Sequence, residues 1–206
     1  MSTKASILNY SSTIVVIPAP ANVTPGNLES DKRIRVFAEQ QHLTLAHDLA
    51  VDITVPGTSP AGGVPNLSIG SIAAGTLVDS YLLHFDDAGT PGDPVHITGS
   101  IAFSDDILGI IVLAQSLDGT DAYPGLTTTI YPFGDAARGL ELHDGNGSDS
   151  ITFSTDLHTI ALDFHNIKNT DEVRVITAST VPEPSTFALT VVAGLGLFLW
   201  LRRRSL

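Results

Sequence analysis

Between Leu43 and Val55 the apolar residues Leu43, Leu45, Leu49, Val51, Ile53 and Val55 all fall on odd positions, with Thr44, Asp48, Asp52 and Thr54 between them. A period of two gives one buried and one wet face, which an extended strand provides and a helix does not. Val95, Ile97, Ile101 and Phe103 repeat the pattern. Further strand candidates are Ile34 to Ala38, Thr76 to Phe85, Ile107 to Leu113, Leu126 to Tyr131, Arg138 to Leu142, Ser150 to Phe153, Leu157 to Phe164 and Val173 to Ala178. Between them lie Asp118-Gly-Thr-Asp, Tyr123-Pro-Gly and Asp144-Gly-Asn-Gly, whose side chains favour turns. Short strands at even spacing predict an all-β fold, a β-sandwich of jelly-roll-like wiring over residues 30–180. Ile107 to Leu113, apolar on both sides, is expected to be a central strand. Residues 1–29 read as an irregular leader or edge strand, and the Gly-, Pro- and Ser-rich residues 56–75 as a long loop.

Composition removes several classes of function. The chain has no Cys, which excludes disulfides, thiolate zinc sites, Fe–S clusters and a Cys nucleophile. With 43% hydrophobic and 16% charged residues, it can bury a core. The net charge is −12, and three of the ten basic residues are Arg202, Arg203 and Arg204, beside one of the 22 acids, Glu183. Residues 1–180 therefore hold 7 basic against 21 acidic side chains, a net −14. Such a surface repels nucleic acid, whose binding needs clustered Lys and Arg, and offers carboxylates to divalent cations.

The C-terminus differs from the rest of the chain. Phe187 to Leu201 holds no charge, and its apolar side chains include Phe187, Leu189, Val191, Val192, Leu195, Leu197, Phe198, Leu199, Trp200 and Leu201. A helix over 185–201 would span about 25 Å at ~1.5 Å per residue, against a hydrocarbon core of about 30 Å. Snorkelling Arg side chains and slight thinning of the bilayer close that gap. A buried core helix has similar apolarity, but the terminal position, the lack of a polar face and the basic stop at Arg202 to Arg204 favour a membrane span. The positive-inside bias places those arginines in the cytoplasm and the body across the membrane. Upstream, Pro182 and Pro184 hold Val181 and Glu183 extended, the backbone form that a processing enzyme can grip.

The order Pro182-Glu183-Pro184, a short apolar span and a terminal Arg cluster resembles a PEP-CTERM sorting signal, the tail that exosortases recognise in Gram-negative bacteria making exopolysaccharide. The resemblance covers residues 181–206 alone. It implies recognition of Pro182, Glu183 and Pro184 by an integral membrane processing enzyme with a cysteine nucleophile. It also implies residence in the inner membrane with the body outside, followed by the cell surface or the extracellular space. Such a protein needs an export signal, and Thr13 to Ile17 is too short an apolar core to be one, so either the signal lies upstream of Met1, the favoured expectation, or export uses another route.

Candidate sites in the body are weaker. Asp144, Asn146 and Asp149 offer oxygen ligands at alternating spacing, as a calcium loop does, but the twelfth position is Thr155 rather than a bidentate Glu. A plain hairpin turn accounts for the same residues. His84 with Asp86 and Asp163 with His165 each share a strand face, as metal ligands or an acid–base pair would. Tyr123 and Tyr131 flank loops and are candidates for stacking on sugar, with Tyr81 and Tyr10 the other tyrosines. No Gly-x-Ser-x-Gly, His-Glu-x-x-His or phosphate loop is present. The leading expectation is a non-enzymatic surface or matrix protein without a cofactor. The alternatives are a carbohydrate-binding module of the exopolysaccharide layer and a secreted hydrolase with a carboxylate pair.

Overall fold

The computed structural model describes residues 6–60, 66–89, 95–142, 148–166 and 170–180. The elements in chain order are β1 (Ile7–Tyr10), β2 (Ile14–Val16), β3 (Ile34–Ala38), β4 (Leu43–Thr44), β5 (Leu49–Val51), β6 (Gly57–Ser59) and β7 (Gly70–Ile72). They continue with β8 (Leu77–Asp86), β9 (Val95–Phe103), β10 (Ile107–Ile111), α1 (Ala114–Thr120), β11 (Ser150–Phe153), β12 (Thr159–Asn166) and β13 (Thr170–Ala178). Among the described residues the fold is all-β apart from α1.

Two sheets form the sandwich-like body. One has five strands in the order β1-β9-β12-β11-β6, and the other has six, in the order β10-β13-β8-β3-β2 with β4 also paired to β8. Their facing sides supply one core: Ile34, Val36, Leu83 and Val175 from the six-stranded sheet meet Ile97, Ile101, Phe153 and Leu162 from the five-stranded one. Aromatic pairs cross the gap, with Tyr81 and Phe103 at 5.0 Å between centroids and Phe85 and Phe164 at 6.0 Å. Each such ring contributes roughly 1.5–3 kcal/mol by burial, and offset or tilted contact adds to that.

The six-stranded sheet is buried on its other side as well. There Phe37, Val78, Leu82 and Ile176 pack against Val23, Leu49, Val51, Ile72, Leu117 and Tyr131, from β5, β7, α1 and the connecting segments. This double cover explains why β8 and β13 are buried at nearly every position, where a one-sided sandwich strand would alternate. It also draws polar residues of the outer face, among them His84, Glu172 and Arg174, into the interior.

Several expectations are corrected. Ile107 to Leu113 is not central: β10 is the edge of its sheet. It is apolar because Ile53 bridges Ile110 and because β5 and β7 cover it, with Val51 lying directly over Gly109. Leu126 to Tyr131 and Arg138 to Leu142 are turns and irregular chain rather than strands. Their apolar residues cap the two cores instead, Tyr131 on one and Leu140 and Leu142 on the other. The long loop expected over 56–75 contains β6, which pairs with β11, and β7, which pairs with β5. The segment 43–55 is broken into β4, β5 and a bridge at Ile53.

Among the described residues no helix is long and apolar enough to cross a membrane. The expected transmembrane helix at 185–201, the Pro182-Glu183-Pro184 strip and Arg202 to Arg204 lie outside the described residues.

Candidate functional site

A buried ionic network sits on the outer face of the six-stranded sheet. Neighbouring strands place Glu172 directly opposite His84, while Arg174 and Glu39 meet across the sheet. Arg174 is fully buried and holds Glu39 through two bonds, Nε to Oε2 at 2.8 Å and Nη2 to Oε1 at 2.9 Å. It also donates to Thr120 Oγ1 at 2.5 Å and Asp121 Oδ1 at 3.1 Å. Arg138 enters from the segment after α1 and donates to Glu172, Asp118 and Asp121.

Burial works against both guanidinium charges, but the surrounding carboxylates outweigh it and hold both well above the ordinary arginine value. Tyr131 lies between the arginines, with their guanidinium carbons 5.8 Å and 5.4 Å from its ring centre. Its hydroxyl donates to Glu39 at 2.6 Å, and burial followed by the Glu39 charge pushes its pKa far up. The network is a clasp: it ties α1 and the following segment to the sheet. Asp52 secures the start of α1 by accepting from the amides of Val112 and Leu113 and from the Ser116 hydroxyl.

A second cluster is chemically different, being all acid. Glu141, Asp149 and Asp171 bring one carboxylate oxygen each within 4.8 Å of the others. Asp171 is opposite Phe85 in the β8–β13 register, so it faces the inter-sheet core, and it is fully buried. Among the described residues neither of its carboxylate oxygens has a hydrogen-bond partner. Asp149 is also fully buried, and its two oxygens accept the amides of Glu141 and His165 at 2.8 Å each.

Among the described residues no Lys or Arg pairs with the three. Two charges at 4.8 Å repel by about 3 kcal/mol at an effective dielectric of about 20. Burial, then the neighbouring acids, raises Asp171 well above the ordinary carboxylate value and pushes Glu141 up to about 7. Burial likewise raises Asp149, against the pull of its two amide bonds. Such a set can bind a hard cation through oxygen alone.

The histidine pairs do not meet each other. His84 and Asp86 are structural: His84 contacts Glu172 at 3.1 Å and the Asn27 carbonyl at 3.3 Å, while Asp86 accepts the Gly26 amide. Asp163 and His165 instead join His96 from β9, a residue the sequence reading did not single out. His96 Nε2 lies 2.5 Å and His165 Nε2 3.2 Å from Asp163 Oδ1, and the two imidazoles stack at 4.2 Å. The group is exposed, at the end of the five-stranded sheet's outer face.

Tyr131 and Tyr81 are buried, while Tyr123 is half-buried, with its hydroxyl bonded to Ala46 and Thr44 and its ring 4.9 Å from that of His47. Tyr10 is the exposed tyrosine among the described residues. Of the calcium candidates, Asp149 belongs to the acidic cluster, and Asp144 and Asn146 lie outside the described residues.

Arg174 had a signal in the sequence, a charge amid Val173, Val175 and Ile176. Asp171 had none, because its neighbours Glu141 and Asp149 lie in the irregular chain between α1 and β11, outside the strands that pair with β13. No protein family, curated protein or solved structure matches the chain.

Proposed function

We propose that this protein is an exported, non-enzymatic β-sandwich whose C-terminal tail sorts it, and that it serves at the cell surface or in the extracellular matrix. The observation that carries the reading is the order of features in residues 181–206: a Pro-Glu-Pro strip, an uncharged run of membrane-spanning length and three terminal arginines. An exosortase-like enzyme grips Pro182, Glu183 and Pro184 and processes the chain near them. The body, at net −14, stays soluble and avoids anionic surfaces. Its largest charged clusters favour a display role over turnover: the arginine clasp is consumed by internal pairing, and the acidic cluster holds two fully buried carboxylates rather than a pair set in an open cleft.

Jelly-roll-like wiring is part of the proposal, and the order of strands supports it. From β8 to β11 the chain alternates between the two sheets; β12 then inserts between β9 and β11, and β13 between β8 and β10.

The tail reading is tested in cells. With Pro182→Ala and Glu183→Ala together, the full-length chain is expected to accumulate in the inner membrane. Processing at the wild-type rate would refute the sorting role.

A second reading, contact with polysaccharide, is favoured by one feature. The outer face of the five-stranded sheet carries an open depression of about 440 Å³ lined by Ser11, Ser100, Thr152 and Asp163 together with Ala161 and Leu162 among others. The exposed Tyr10 lines an adjoining depression that shares Ser11 and Ser100. Tyr10, rather than Tyr123 or Tyr131, is the ring available to such a ligand.

A further inference from the structure

We infer that Glu141, Asp149 and Asp171 form a calcium site at the rim of the inter-sheet core. The three carboxylates converge, with one oxygen from each inside a 4.8 Å circle, although they come from three different parts of the chain. Proximity alone would not distinguish a binding site from a patch of acid. The second observation is Asp171: fully buried, aimed between the sheets, and with both oxygens lacking any hydrogen-bond partner among the described residues. A buried carboxylate in that condition is costly, since burial without a hydrogen bond or a counter-charge is what native proteins avoid. Asp86 and Asp87 add to the same negative field, so no charge from those neighbours relieves it.

A divalent cation would supply the missing partner for all three groups at once. Two features prepare the place for it. Asp149 is held by the Glu141 and His165 amides, and each of its oxygens keeps a second lone pair for a ligand. Asp171 is fixed by strand pairing on β13.

The donor set selects the ion. Every ligand is a carboxylate oxygen, which suits a hard cation and disfavours zinc or copper, whose sites favour nitrogen or sulfur. Calcium accepts variable geometry and several carboxylates, whereas magnesium holds to an octahedron and keeps much of its water, a poor match to three converging carboxylates of which two are fully buried. The inference does not depend on the sorting of the tail.

The test uses the full chain in mild detergent, stripped of metal with chelator, with calcium chloride as the probe. Titration calorimetry is expected to show one calcium per chain. The thermal midpoint should rise by about 5–10 °C when calcium exceeds its Kd a hundredfold. Asp171→Asn, which keeps the shape and removes one charge, should raise the metal-free midpoint, weaken calcium binding at least tenfold and abolish most of the calcium-dependent shift. Glu141→Gln is the second variant, expected to weaken binding in the same direction, and it keeps the test decisive should Asp171→Asn not fold. A wild-type midpoint indifferent to millimolar calcium, or a shift of equal size in both variants, overturns the site. An equal response to magnesium overturns the choice of ion.

Discussion

Arg174 shows how a single buried charge is made tolerable. Its guanidinium carries bonds to Glu39, Asp121 and Thr120, and Glu39 in turn accepts from Tyr131 and Ser80. Removing the cation strands Glu39 beside Asp121 in a dry interior. Arg174→Met is therefore expected to cost about 3–5 kcal/mol, read by guanidinium denaturation. Adding Glu39→Gln to that variant should return part of the loss, because it removes the orphaned charge while the amide oxygen accepts from one of the Tyr131 and Ser80 hydroxyls and the amide nitrogen donates to the other. If the double variant is as unstable as the two single losses added together, the pair is not coupled as described.

The lesson on legibility begins with this residue as well. Arg174 and Glu39 are far apart in the chain, and no local pattern announces that they meet. Asp149 stood out in the sequence as one oxygen donor of a loop, but its neighbour Asp171 did not, because the packing of one sheet on the other decides that meeting and such packing is absent from local composition.

The elements divide along the same line. Alternating strands such as Val95 to Phe103 were readable because one face is wet, and β9 shows that alternation of burial. β10 misled because complete apolarity at Ile107 to Leu113 has two causes: a central place in a sheet, or an edge capped by other chain. Here the cap is the bridge at Ile53 with β5 and β7. The Leu126 to Tyr131 and Arg138 to Leu142 segments misled for a related reason, being apolar enough to seal a core without pairing.

The cap over β10 makes a sharp packing prediction. A Cβ built on Gly109 would lie 2.8 Å from both methyls of Val51. Gly109→Ala should therefore destabilise the fold by about 1–3 kcal/mol. Val51→Ala in the same chain should relieve the clash, giving a favourable coupling in a double-mutant cycle. Simple additivity of the two losses would mean that Val51 does not close over β10.

For the whole molecule, the acidic rim sets a dependence on pH. Burial and the nearby Asp149 push Glu141 up to about 7 from the ordinary 4.5, and Asp171 and Asp149 move in the same upward direction. An acid with a raised folded-state pKa holds its proton longer when folded. Its contribution to stability is present below the unfolded value and is lost as pH rises through the folded one. With chelator present, stability should fall between about pH 4.5 and 7. Glu141→Gln should flatten that fall, as measured by urea denaturation at pH 5 and pH 8. If wild type and variant differ by the same amount at both pH values, Glu141 does not titrate in this window. Calcium, by pairing the charges, should flatten the same limb in the wild type.

The last strand of the body, β13, is the one from which the chain runs into residues 181–206, and it lies between β8 and β10 with rungs to both. A tug on the C-terminal side directed along the strand's own axis would load that pairing in shear. The nine rungs to β8 must give way together, as a glued lap joint does, instead of parting one after another like a zip. A body leashed at that end would resist being dragged by flow or by a stiffening matrix far better than one leashed through β1, whose four residues hang on the margin of the other sheet.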